Sequence, residues 1–188
     1  MSQRNTIARS LSEVGLAAWF GGSLMGAIGV NGAAAEVDQP GQRARVANAG
    51  WSRWTPVNLA AIGAHLAGSL ALTGANKGRI AGQKNVATTA IAKTAVTAGA
   101  LAATAYARAL GQKMIEAGDV PVDGGTDANA QTPPEVEDAQ RKLSKLQWAI
   151  PALTGTLLVM DALMGEQQRP SQAAQGIVAR LIPDSLAA

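Results

Sequence analysis

Pro56-Val-Asn-Leu-Ala-Ala-Ile-Gly-Ala-His65-Leu-Ala-Gly-Ser-Leu-Ala-Leu-Thr-Gly-Ala75 contains no charged side chain, and its one titratable group is His65. A helix needs about 20 mostly apolar residues to cross the ~30 Å hydrocarbon core of a bilayer. A soluble helix of that length shows a charged face at helical spacing, and this stretch has none. Residues 14–35, 86–107 and 148–165 form three more apolar stretches of similar length. The chain of 188 residues suits one domain. The expected fold is therefore all-α, a four-helix transmembrane bundle with short interfacial helices.

Composition bounds this reading. Hydrophobic residues make up 47% and charged residues 15%, and the mean hydropathy of +0.08 is low for a membrane protein. Alanine, glycine and threonine replace the usual Leu, Ile and Phe in the second and third stretches, which keeps a soluble helical bundle as the rival. There is no cysteine, so disulfides, thiolate metal sites and thiol redox chemistry are excluded. The net charge of +3 fits basic flanks of a membrane protein better than a nucleic-acid partner. Arg4 and Arg9 before an apolar run ending in Ala33-Ala34-Ala35 imitate a signal peptide. The run exceeds a typical ~7–15 residue signal core and is read as a retained helix.

Ser10 or Ser12 is the expected cap of the first helix, with Glu13 in its first turn. The connection 36–55 contains Pro40 and a short surface helix over 42–54, and Pro56 opens the second span. The loop 76–85 is short and basic, and the third helix continues past Arg108 toward Glu116. Pro121, Gly124, Gly125, Pro133 and Pro134 mark 118–134 as a flexible loop. Thr132 and Glu135 fit a capping box for the last long helix, which Pro151 should kink. After Pro170, Ala174, Val178 and Ile182 recur at four-residue spacing, as in an interfacial amphipathic helix.

Trp51, Trp54, Tyr106 and Trp148 fall at span ends on one side of a four-pass topology, where aromatics favour the membrane interface. With the N-terminus inside, basic residues outside the spans divide seven inside against eight outside, which decides nothing. The loop 76–85 is densest in basic residues and has no acid, so it and both termini are assigned to the cytoplasmic side of a bacterial inner membrane.

Small residues recur every fourth position: Ala18, Gly22 and Gly26, then Ala60, Ala64 and Gly68, then Ala95, Gly99, Ala103 and Ala107. In lipid such stripes let backbones approach closely, so Ala18, Gly22, Gly26, Ala64, Gly68 and Gly99 are expected packing positions for the first three helices. The ionisable residues within the spans are His65, Lys93 and Asp161, and intramembrane charges are costly and often functional. Lys93 and Asp161 come to similar depth, so an ion pair is geometrically open to them. They and His65 are the ligand or proton candidates. A single histidine rules out bis-histidine haem within one chain, and no metal or cofactor is expected. Lys77, Arg79 and Lys84 lack the spacing of a phosphate loop and are read as lipid-headgroup contacts. No catalytic triad, paired carboxylates or zinc motif appears, so catalysis is not expected.

Trp19-Phe20-Gly21-Gly22 and Trp51-Ser-Arg-Trp54-Thr-Pro56-Val-Asn58 resemble segments of DoxX-like, anthrone-oxygenase-like and copper-resistance-D-like four-helix membrane proteins. Copper-type members would carry more His and Met ligands than this chain has. Gly15-Leu-Ala-Ala-Trp-Phe-Gly-Gly-Ser-Leu-Met-Gly26 resembles uncharacterised four-helix membrane proteins of actinobacteria over nearly the full length. These observations lead to an accessory or structural membrane protein that binds lipid or a larger membrane complex, or forms a homo-oligomer. The alternatives are a DoxX-like redox accessory or enzyme acting on a quinone-like lipid, which the resemblance implies, and a small proton-coupled transporter using Lys93 and Asp161.

Overall fold

The computed structural model describes residues 5–166. The amphipathic helix expected after Pro170 lies outside these residues. The elements are α1 (Thr6–Met25), a π-helical segment (Gly26–Val30), α2 (Asn31–Ala35), α3 (Pro40–Ala75), α4 (Lys77–Gly82), α5 (Lys84–Ala117) and α6 (Pro134–Glu166). No strand occurs among the described residues. Four segments are long and apolar enough to cross a membrane: Thr6–Ala35, Pro40–Ala75, Val86–Ala117 and Pro134–Gly165. The protein is an all-α four-helix bundle of a multi-pass membrane type.

α3 and α5 have 36 and 34 residues. At 1.5 Å per residue each is about 50 Å long, well beyond the ~30 Å hydrocarbon core. The excess lies at one end, where the start of α3, the end of α5 and the start of α6 meet. Ala44, Leu110, Met114, Val122, Val136 and Ala139 form a separate apolar cluster there. The connection 118–133 belongs to this head and is packed. Val122 is fully buried, the Gln140 side-chain amide donates to the Gly124 carbonyl at 3.0 Å, and the Thr132 hydroxyl donates to the Pro121 carbonyl at 2.7 Å. Arg45 pairs with Asp119 and Arg43 with Asp123 across the same junction. Gly118, at φ 73°, makes the turn that leaves α5. Buried partners thus contact a segment whose composition alone reads as a flexible loop. Thr132 is likewise no helix cap, because its hydroxyl serves the loop. On the exposed face of the head, a hydrogen bond from Lys142 holds the Asp138 carboxyl below its usual range.

Pro56 does not open a helix, and 42–54 is no separate surface helix. α3 runs unbroken through Pro56. An interior proline costs ~3 kcal/mol or more, and the packing around it opposes a break. The Trp54 ring lies over Gly22 and the Trp51 ring over Gly26. Trp51 Nε1 donates to Asn31 Oδ1 at 2.9 Å, and Thr55 Oγ1 donates to the Trp51 carbonyl at 2.9 Å. Asn31 Nδ2 in turn donates to Gln147 Oε1 at 2.8 Å. One buried asparagine after the π-helical turn thus ties α2, α3 and α6 together. A π-turn inserts an extra residue and re-aims the chain beyond it.

α1 and α3 pack antiparallel along their length, and α1 and α5 both pack on α6. The tightest backbone approaches are at Gly15 and Gly68. A Cβ on Gly15 would lie 2.6 Å from the His65 backbone N, and one on Gly68 would lie 2.5 Å from the Ser12 backbone N. Ala64 sits opposite Gly15, and Ala18 is half-buried. Gly99 is different. A Cβ there meets nothing within 4 Å, because α5 touches α3 only sparsely. The third-span stripe is therefore not a close helix contact at Gly99. Leu16, Trp19, Ile62, Ala100, Ile150 and Leu157 form the core of the spans.

Candidate functional site: a cleft between α3 and α5

The sparse α3–α5 contact leaves a cavity of about 690 Å³ at the end closed by the basic loop. Leu66 and Leu70 of α3 and Ile91 and Leu101 of α5 supply apolar lining. Arg9, Arg79 and Lys93 supply positive charge, and Glu13 and Asp161 supply two carboxylates. α4 brings Arg79 to the cavity, while Lys77 and Lys84 are exposed and lie outside its lining.

Lys93 Nζ and Asp161 Oδ1 form a hydrogen-bonded ion pair. The two side chains are only 14% and 17% exposed, whereas the ion pairs of the head are largely open. α5 and α6 pack closely, which fixes both groups at one depth. Asp161 Oδ2 is buried and has no partner.

His65 is fully buried in the α1–α3 contact. Its Nδ1 lies 3.0 Å from the Ser12 carbonyl oxygen and 3.2 Å from Ser12 Oγ. A carbonyl can only accept, so Nδ1 is the donor in this contact. Nε2 is buried without a partner. Ser12 Oγ continues to Ser69 Oγ at 2.9 Å, and both serines line the cavity. Ser12 is thus a buried mid-helix link and not a cap. The N-cap position of α1 is Asn5, without a side-chain cap, and Glu13 lies beyond the first turn, facing Arg9 at 3.8 Å.

His65 is not in the cavity lining, and it connects to it through Ser12 and Ser69. Of the three intramembrane candidates, Lys93 and Asp161 are in direct contact, and His65 lies in the separate α1–α3 contact. Among the described residues no three His, Cys, Asp or Glu side chains converge as a metal site would require. Sequence reasoning missed the roles of Ser12 and Gly15 in the α1–α3 contact. Both had a signal, since they recur on one face of the first helix with Trp19 between polar and small neighbours. No known protein family, curated protein or solved structure matches this chain.

Proposed function

We propose that this chain is an inner-membrane protein that binds an anionic phospholipid in the α3–α5 cavity, as an accessory component without catalysis of its own. One observation carries the reading. A largely apolar cavity between helices long and apolar enough to cross a membrane carries three cations and two carboxylates, Glu13 and Asp161, beside a loop, 76–85, that contains three basic residues and no acid. Acyl chains suit Leu66, Leu70, Ile91 and Leu101. A phosphate suits Arg79, whose guanidinium presents a planar fork of donors. Cations near a membrane face attract anionic headgroups by about 1 kcal/mol each.

Purification of the wild type and of Arg79→Gln in mild detergent, with identification of the retained lipid, tests the proposal. Anionic lipid should be enriched over its share of the source membrane in the wild type and depleted in the variant. Retained lipid that mirrors the bulk membrane in both would overturn it. Co-extraction of a quinone instead would favour the redox alternative. A second reading, proton-coupled transport, draws on the two buried unpartnered atoms His65 Nε2 and Asp161 Oδ2. Proton flux in liposomes that His65→Phe abolishes would favour it.

A further inference from the structure

A second cavity, of about 470 Å³, lies between the same two helices on the side of the head. Leu101 lines both cavities. On α5, Lys93, Thr97, Leu101, Thr104 and Arg108 each line one cavity or the other. Steps of three and four residues keep them on one helix face. From Lys93 to Arg108 the stripe covers about 22 Å at 1.5 Å per residue, most of the ~30 Å core. Across the cleft, α3 offers Ser69 and Thr73 to the first cavity and Thr55 and Asn58 to the second. The strip is polar at both ends and apolar in the middle, where Leu101 stands.

Charge is placed to match. No carboxylate lines the second cavity, where Arg108 is the one charged side chain. The Gln112 side-chain amide lies 3.1 Å from the Arg108 guanidinium, and Arg108 makes no ion pair among the described residues. Arg108 thus stands alone at the head end, while at the other end Arg9, Arg79 and Lys93 outnumber the carboxylates Glu13 and Asp161. The cleft also opens sideways, since Leu59, Leu70 and Ile91 on its margins are 65%, 72% and 71% exposed.

We propose that the α3–α5 cleft is a track along which an anionic phospholipid headgroup passes between the two leaflets while its acyl chains stay in the bilayer. This inference rests on the lipid-binding reading above. A phosphate crossing hydrocarbon loses its water, and unpaired charge in an apolar medium is costly. Hydroxyls, amides and cations along the strip replace part of that hydration. Leu101 offers no polar partner, so the barrier is highest there.

The test uses the full chain in phosphatidylcholine vesicles carrying a trace of phosphatidylglycerol with a fluorescent headgroup. Dithionite bleaches outer-leaflet probe, and any slower bleaching reports exchange between leaflets. The wild type should exchange the probe faster than protein-free vesicles do. Leu101→Thr should speed exchange, and Gly99→Ala, which lines neither cavity and meets open space, should leave it unchanged. Arg108→Gln should slow the anionic probe by about tenfold, the loss of one charge-assisted hydrogen bond, and should spare a zwitterionic one. Equal rates in all variants would mean nonspecific disturbance of the bilayer and overturn the track. Absence of exchange in the wild type would also overturn it. Anionic lipid still retained on purification would then leave the binding site standing, while loss of both would end the two proposals together.

Discussion

Gly15→Ala is the smallest change that should pull α1 from α3. The new methyl would stand 2.6 Å from the His65 backbone N, and closer still to the Ala61 carbonyl. Both obstacles are backbone and cannot rotate away. Restoring ordinary contact at 3.4 Å with the nearer of the two, the Ala61 carbonyl, requires a shift of about 1 Å. A gap of ~0.5–1 Å forfeits a quarter to a half of each dispersion contact along the interface, and overpacked cores typically lose ~1–3 kcal/mol. Alanine returns ~0.5–1 kcal/mol over glycine in a helix. The expected net effect is a loss of about 1–2 kcal/mol. Gly68→Ala should behave alike against Ala8 and Ser12. The pair should lose less than the sum, because helices already parted by one methyl accept the second. Gly99→Ala meets open space and should be neutral or stabilising by up to ~1 kcal/mol. Thermal unfolding in one detergent at fixed lipid content ranks the three. A Gly99→Ala loss matching that of Gly15→Ala would refute the packing order described here.

Lys93→Met and Asp161→Leu should each lower the unfolding temperature, since breaking a buried pair costs up to ~3–5 kcal/mol. Partial burial and snorkelling reduce that figure, and the double mutant should recover part of the loss; strictly additive losses would exclude direct coupling. Asn31→Leu strands Trp51 Nε1 and Gln147 Oε1 and should cost ~1–3 kcal/mol per stranded group, measured in the same melts, with no loss meaning that the clamp is dispensable. Ala130→Cys and Gly78→Cys should label differently with an impermeant thiol reagent in intact cells, Ala130 reacting and Gly78 not. The position Ala130 is exposed, whereas a side chain at Gly125 would meet Asn31 and Ala47.

The four spans were legible because hydropathy over a bilayer's length is a local property of the chain. The meeting of Lys93 and Asp161 was legible for a related reason: depth along antiparallel spans can be counted from the sequence. Facing cannot be counted that way. Gly99 and Gly68 recur at the same spacing, yet one is exposed with open space around it and the other faces the Ser12 backbone, because α5 leans on α6 instead of α3. Pro56 misled for the opposite reason. Its local preference is to start a helix, but two indoles seated on Gly22 and Gly26 hold the helix through it. The loop 118–133 looked mobile because Val122 and Gln140, which fix it, meet only in three dimensions.

The most direct test of lipid occupancy in the α3–α5 cleft is photocrosslinking. Phosphatidylglycerol bearing a diazirine on its acyl chain would be incorporated with the full chain, irradiated, and the adducts mapped by peptide mass spectrometry. Lipid held in the cleft should give adducts concentrated at Leu66, Leu70, Ile91 and Leu101, reduced by Arg79→Gln. Adducts spread evenly over outward positions such as Val14 and Val159, with no response to Arg79→Gln, would contradict it.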